Sequence, residues 1–298
     1  MLAACIGVAG AHAQLIAYEP FDYDASSSRP TWTGGTGWSG GWTNVAGGAG
    51  AHTATIDGLQ SPGGLPLVVR GRAARLEPSG LYGDIDRNLP AAIQTSDGDL
   101  WLSFLVQLND RPSSVCYGGI SLGYSHYSTA FIGLVAQMRE GVVRVRPSTS
   151  LYFSGVNDVD PGMSFSLAET VLLVSHITFR PGNERIELWV NPDLGAPLGE
   201  PDSVNELLAC STIAGIRLTI GDYNSVVLDE LRLGRTASDV LPSGCASDFN
   251  ADGFITFEDF DAFVGSFEAG ETRADFNMDG FLTFEDFDSF ASVFEADC

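Results

Sequence analysis

A fourteen-residue segment of this chain occurs twice, identical at twelve positions. Asp248-Phe-Asn-Ala-Asp-Gly-Phe-Ile-Thr-Phe-Glu-Asp-Phe-Asp returns 27 positions later as Asp275-Phe-Asn-Met-Asp-Gly-Phe-Leu-Thr-Phe-Glu-Asp-Phe-Asp. In the first copy Asp248, Asn250 and Asp252 stand at the first, third and fifth places of a twelve-residue loop, and Asp259 stands at the twelfth. Gly253 at the sixth place allows the sharp turn, the Phe254 carbonyl ligates from the seventh, and Thr256 ligates from the ninth, directly or through water. The second copy repeats the set with Asp275, Asn277, Asp279, Gly280, Phe281, Thr283 and Asp286. Hard oxygen donors on a flexible loop select Ca²⁺ over Mg²⁺, which holds its waters in a rigid octahedron. Two Ca²⁺ ions are therefore expected, with Ile255 and Leu282 pairing as a short strand contact between the loops.

Other chemistry finds less support. All 15 basic residues are arginine, which removes mechanisms that need a lysine base or Schiff base. The histidines are His12, His52, His126 and His176. No Gly-x-Ser-x-Gly elbow accompanies Ser125-His126, and His176, inside an apolar run, reads as a hydrogen-bonded core histidine. Glu184, Glu187, Asp229 and Glu230 read as surface or hairpin charge, because neither pair presents the facing carboxyls, about 5 to 10 Å apart, of glycoside hydrolysis. No catalytic residue is assigned. Flat aromatic rings that could stack on sugars are the stronger candidates, namely Trp38 and Trp42 in a Gly/Thr/Ser-rich segment and Tyr124 and Tyr127 in another loop. Their competing reading is ordinary sandwich packing, and Trp101 and Trp189 within strands read as core.

The elements that position these groups follow from patterning. From residue 14 to about 238 the chain is a series of short β-rich runs split by Gly, Pro, Asn and Asp, such as 100–108, 119–122, 130–136, 142–145, 170–179, 185–190, 215–220 and 226–233. Leu100, Leu102, Phe104, Val106 and Leu108 alternate onto one strand face. A length of about 225 residues of such strands is best closed as a two-sheet jelly roll. After each acidic loop the spacing turns helical, with Phe257, Phe260, Val264 and Phe267 in one copy and Phe284, Phe287, Ala291 and Phe294 in the other. Residues 239–247 read as a linker ahead of a module over 248–298.

The net charge of −23 disfavours nucleic acid and anionic lipid surfaces. From 245 to 298 there are fourteen acids and one base, Arg273, so this segment alone carries −13. Without a cation its carboxylates repel, and folding coupled to metal is expected. Residues 1–13, apolar and ending in Ala11-His12-Ala13, read as a signal peptide, although their lack of positive charge points to a start further upstream. No later stretch is long enough to span a membrane. In a secreted chain Cys116, Cys210, Cys245 and Cys298 remain. Three pairings are possible, and position along the chain favours Cys245 with Cys298 and Cys116 with Cys210.

A loop followed by a helix, duplicated, with Asp at the twelfth place and no entering helix, resembles the dockerin family. That resemblance implies a calcium-dependent module that attaches a secreted protein to a cohesin-like partner on a scaffold or cell surface. It implies partner contacts at Phe257, Glu258, Phe284 and Glu285, though the two phenylalanines read equally as core. The body resembles concanavalin-like and laminin-G-like domains through Tyr18-Glu-Pro-Phe-Asp-Tyr, Gly35-Thr-Gly-Trp-Ser-Gly-Gly-Trp, Glu187-Leu-Trp-Val-Asn-Pro-Asp and Leu228-Asp-Glu-Leu-Arg-Leu-Gly. That resemblance implies an extracellular ligand, with a glycan favoured. Three functions stay open: a non-catalytic binding protein, a polysaccharide-degrading glycoside hydrolase on the same sandwich, and a structural surface protein.

Overall fold

The computed structural model describes residues 15–24, 32–45, 51–62, 65, 69, 71–78, 82–94, 98–109, 115–122, 130–139, 142–151, 162–194, 196–207, 212–221, 225–241, 247–250, 255–277 and 280–295. The expected signal segment, Tyr124, Tyr127, Asp252, Phe254, Asp279, Cys210, Cys245 and Cys298 lie outside them. Cys116 is buried on a strand.

The body is a sandwich of two antiparallel sheets, as the patterning requires. The strands are β1 (Leu15–Glu19), β2 (Ser39–Asn44), β3 (Ala51–Asp57), β4 (Arg72–Pro78), β5 (Tyr82–Gln94), β6 (Leu100–Leu108), β7 (Val115–Leu122), β8 (Ala130–Arg139), β9 (Val142–Leu151), β10 (Val171–Thr178), β11 (Glu184–Val190), β12 (Ser203–Leu207), β13 (Thr212–Gly221) and β14 (Val226–Gly234). One sheet runs β12-β11-β10-β6-β14-β4-β3 with β1 also on β14, and the other runs β2-β5-β13-β7-β8-β9. From β4 to β7, and again from β12 to β14, successive strands change sheet. The last two strands of the body therefore lie inside the two sheets, and the fold closes only when they arrive.

The alternation in β6 does what it should: Leu100, Leu102, Phe104, Val106 and Leu108 all enter the core between the sheets. Opposite them stand Ile216, Leu218 and Ile220 of β13 and Ile132, Leu134 and Ala136 of β8. Each of the larger side chains among these contributes roughly 1.5–3 kcal/mol on burial. A second apolar layer covers the outer face of the larger sheet, where Leu105, Leu172, Val174, Trp189 and Val227 meet Leu59 and Val240. With both faces covered, β14 is buried along its entire length, which explains why its sequence is a continuous apolar run with embedded charges rather than a clean alternation.

Gly35 and Gly37 explain the Gly/Trp segment. Their φ values are +73° and +75°, and a Cβ there would stand 2.3 Å from the Tyr18 carbonyl oxygen and 1.9 Å from that of Ile16. Only glycine lets this loop lie against β1, where Tyr18 and Thr36 exchange backbone hydrogen bonds of 3.0 and 2.9 Å.

The segment expected to be a linker is partly built into the body. Residues Ala237–Val240 form a short helix, α1. Asp239 and Val240 are buried, the Asp239 carboxylate accepts from the Arg235 and Thr236 amides at 2.7 Å, and Ser103 Oγ donates to the Val240 carbonyl. An apolar valine and an acceptor matched to two backbone donors are better satisfied against the sheet than in water.

Beyond it lie α2 (Phe257–Ala269) and α3 (Phe284–Glu295). Their arrangement carries the 27-residue repeat into three dimensions. Phe263 and Phe290, which are repeat equivalents, stack on each other with centroids 4.2 Å apart and planes 3° apart. Around this pair Phe249 meets Phe263 at 5.3 Å and 88°, while Phe276 meets Phe290 at 5.3 Å and 89°. The module thus has a pseudo-twofold axis through one phenylalanine stack. The helical stripe is corrected in one respect: Phe257 and Phe284 are 80% and 79% exposed, and the buried centre is Phe263 and Phe290. Ile255 and Leu282 lie outside any strand or bridge.

Candidate ligand face and repeat loops

In each repeat the residue expected at the twelfth ligand place is fully buried, Asp259 in one copy and Asp286 in the other. Asp259 Oδ1 accepts from the Asn250 amide at 3.0 Å and Oδ2 from the Thr256 amide at 2.8 Å. Asp286 does the same with Asn277 at 3.1 Å and Thr283 at 2.8 Å. One carboxylate thus draws the third and ninth places of its loop together. Thr256 and Thr283 accept from the amides of Glu258 and Glu285 at 3.2 and 3.3 Å, which caps each helix. In the second loop Gly280, at φ +85°, donates its amide to Asp275 Oδ2 at 2.9 Å. Asp248 is buried. Among the described residues no three acidic, histidine or cysteine side chains converge on one point. The donors that are described, carboxylate, amide and hydroxyl oxygens, suit a hard cation.

The aromatic candidates divide. Trp42 has no exposed surface. Its ring stacks near Phe21 at 5.8 Å and its Nε1 donates to Glu19 Oε2 at 2.9 Å. The platform reading is therefore corrected for Trp42, since a ring without an open face offers a sugar nothing to stack on. Trp38 is half-buried, its Nε1 donating to the Tyr18 carbonyl at 2.9 Å, with the Arg87 guanidinium 5.2 Å from its ring centroid. Both rings belong to a buried network centred on Glu19, which accepts from the Phe21 amide at 2.9 Å, from Tyr23 Oη at 2.7 Å and from Arg87. Burial raises the Glu19 pKa despite those donors.

The carboxylates read as surface charge are also corrected. Asp229, Glu230 and Glu184 are buried. A bulge in β14 lies between Asp229 and Arg232, with Glu230 at φ +52°, and both acids are covered by neighbouring chain. Asp229 accepts from the Leu59 and Glu230 amides, while Glu230 accepts from Tyr18 Oη at 3.0 Å and Arg232 at 2.7 Å. His176 is hydrogen-bonded as expected, but on the outer face of the larger sheet. Its ring lies between Asp99 and Glu187 at 2.8 and 3.0 Å, stacked on Trp101 at 4.2 Å.

Sequence reasoning missed the outer face of the smaller sheet. Arg217 and Thr219 of β13 stand across from Asp86 and Asp84 of β5 and from Ser121 and Gly119 of β7. Arg217 grips Asp86 at 2.7 and 2.9 Å and lies 3.8 Å from Asp84, whose Oδ1 accepts from Thr219 at 2.5 Å. Two rings flank this row. Tyr117 occupies the space over Gly221, where an added Cβ would meet it at 2.2 Å, and Phe131 occupies the space over Gly133 at 2.6 Å. The rings meet edge to face at 6.1 Å. The hydroxyls of Ser121 and Ser148 are buried without a hydrogen-bond partner. The available signal was Asp84-Ile-Asp86, two acids at strand spacing, but its arginine partner is 131 residues away.

No family model matches the chain, and no curated protein matches it. Among solved structures it is similar to the T. cruzi calreticulin globular domain, at 13% identity and a TM-score of 0.47 over 86% of this chain and 100% of that one. It is similar to the cellulose-induced protein Cip1 at 15% identity and 0.39, over 74% and 97%. A carbohydrate-binding module from Bacillus subtilis aligns at 10% identity and 0.35, over 65% and 94%. At such scores the likeness carries no argument, and the sandwich stands on the chain's own strand ladders.

Proposed function

We propose that this chain is a secreted, non-catalytic glycan-binding protein whose sandwich holds a neutral sugar on the outer face of the smaller sheet. Its C-terminal dockerin-like module, loaded with two Ca²⁺ ions, attaches it to a cohesin-like protein on a scaffold or surface. The observation that supports the first part is the half-buried Tyr117 ring with Asp86, the members of this face that keep some exposure, while Asp84, Arg217, Thr219, Ser121 and Phe131 are buried and hold them in place. Rings supply stacking for the CH faces of a sugar, and fixed polar groups set the hydroxyls. Loops that gather hard oxygens and a symmetric pair of exposed phenylalanines, each beside a glutamate, support the second.

A hydrolase reading draws on Asp84 and Asp86 sharing one strand face. Binding is favoured because Arg217 grips Asp86 and Thr219 donates to Asp84, whereas glycoside hydrolysis needs one carboxyl as acid and a second as base or nucleophile.

The test is a glycan array probed with the full chain, followed by titration of the best hit. Tyr117→Ala should weaken binding by about tenfold, roughly 1.4 kcal/mol, without moving the unfolding midpoint by much. Release of reducing ends from that glycan, abolished by Asp84→Asn, would support the hydrolase instead. Calcium titration of chelator-stripped protein should give two ions, and Phe257→Ala with Phe284→Ala should abolish capture by an immobilised cohesin panel.

A further inference from the structure

Besides the Glu19–Arg87 network, the inner faces of the two sheets turn polar along one edge. There β12, the last strand of the larger sheet, faces β9, the last strand of the smaller one. Asn205 Nδ2 crosses the gap and donates to the Thr149 carbonyl at 2.7 Å, with the Thr149 hydroxyl at 3.4 Å. Glu184 sits diagonally from Asn205, because Glu184 pairs with Leu207 and Ile186 pairs with Asn205. Same-face diagonal neighbours on adjacent strands are within reach of long side chains.

Glu184 is 3% exposed and its Oε2 has no hydrogen-bond partner. Charged groups removed from water in this way are paired or coordinate a metal, since otherwise the desolvation is uncompensated. One carboxylate and the neutral oxygens of an amide and a hydroxyl are hard donors, and they lack the sulfur or imidazole that a transition metal selects.

We propose that Glu184, with Asn205 and Thr149, forms a calcium site that clasps the open edge of the sandwich. This site is independent of the repeat loops. A cation there joins β11 and β12 of one sheet to β9 of the other, at the edge where Asn205 already supplies a cross-sheet hydrogen bond.

The experiment uses the full chain carrying Asp259→Asn and Asp286→Asn, which disables both repeat loops. All five tryptophans precede residue 190, so tryptophan emission reports unfolding of the sandwich alone. In this background calcium, added after chelation, should still raise the tryptophan-reported midpoint. Glu184→Gln should lower the apparent calcium affinity by more than about tenfold, leaving the midpoint in chelator unchanged or higher. Thr149→Val, which keeps the shape and removes a hydroxyl, should weaken the response in the same sense and serves if Glu184→Gln fails to fold. A calcium-insensitive midpoint in the background protein, or a response that survives both variants, overturns the proposal and leaves Glu184 as a buried acid without a cation. Failure of the repeat loops to bind calcium in the wild-type chain would leave this result unaffected.

Discussion

Single residues of this protein are decided by what stands beside them. Glu19 is an acid in an aromatic segment, and by composition it belongs at the surface. The structure surrounds it with Arg87, Tyr23, Trp42 and the Phe21 amide, and the Arg87 side chain is as buried as its partner. Removing one member of such a pair leaves a buried charge alone. Glu19→Ala is therefore expected to lower sandwich stability by about 3–5 kcal/mol, read as the urea midpoint of tryptophan emission; a change within the error of the extrapolation would show that Arg87 finds another acceptor. Arg87 reaches Glu19 from 68 positions away, so no local pattern announces the pair. The same holds for Trp42, whose loop composition suggested a surface ring while its indole is committed to Glu19.

Elements were more legible than their residues. All eight of the strands expected from local runs are present, and 100–108 matches at both ends, because period-two alternation and strand length are local properties. The strands that escaped notice, β1 to β5 and β12, gain their stability from neighbours on the sheet. The helices followed their stripe, yet its centre was misplaced. A helix buries whatever faces its partner, and here the pseudo-twofold axis places Phe263 against Phe290 while Phe257 and Phe284 turn outward. Phe263→Ala should cost about 3–5 kcal/mol, enough to unfold a module of about fifty residues, and would appear as loss of the helical circular-dichroism signal. Thr256→Ala should cost only about 1 kcal/mol through its cap. Equal effects from the two would place the module's stability in its loops and not in its phenylalanine stack.

At the scale of the whole molecule charge sets the response to solution conditions. Glu19 and Asp229 have folded-state pKa values raised from the ordinary carboxylate range, burial being the largest cause for both. Between that range and the raised values the folded chain holds protons that the unfolded chain has released, so stability rises as pH falls through this window. Relief of repulsion within a chain of charge −23 acts in the same direction. Below the ordinary glutamate value of 4.5 the sense reverses for Glu187. Burial works against its ionised form, but hydrogen bonds from Arg185 and His176 and their charges hold its pKa down, and that stabilisation is lost on protonation. Urea midpoints by tryptophan emission should therefore peak on the acid side of neutrality, and a maximum in alkaline solution would contradict the assignment of Glu19 and Asp229 as the dominant buried acids. Chelation should remove helical signal from the C-terminal module, and in the chain with intact loops the helix should return on adding calcium.

The sequence by itself determined the two-sheet class, the number and spacing of the oxygen-bearing residues in the repeat, and the helix that follows each loop. Those properties depend on periodicity and on identity at fixed offsets, which adjacent residues carry. Only the tertiary structure decided which face of the sandwich is polar and ringed, which acids are buried, and which phenylalanines form the module's centre. Arg217 meets Asp86, Asn205 meets Thr149, and Tyr18 meets Glu230 across separations of 131, 56 and 212 residues. Their pairing is fixed by the order in which strands enter the sheets, and that order is a property of the packed whole.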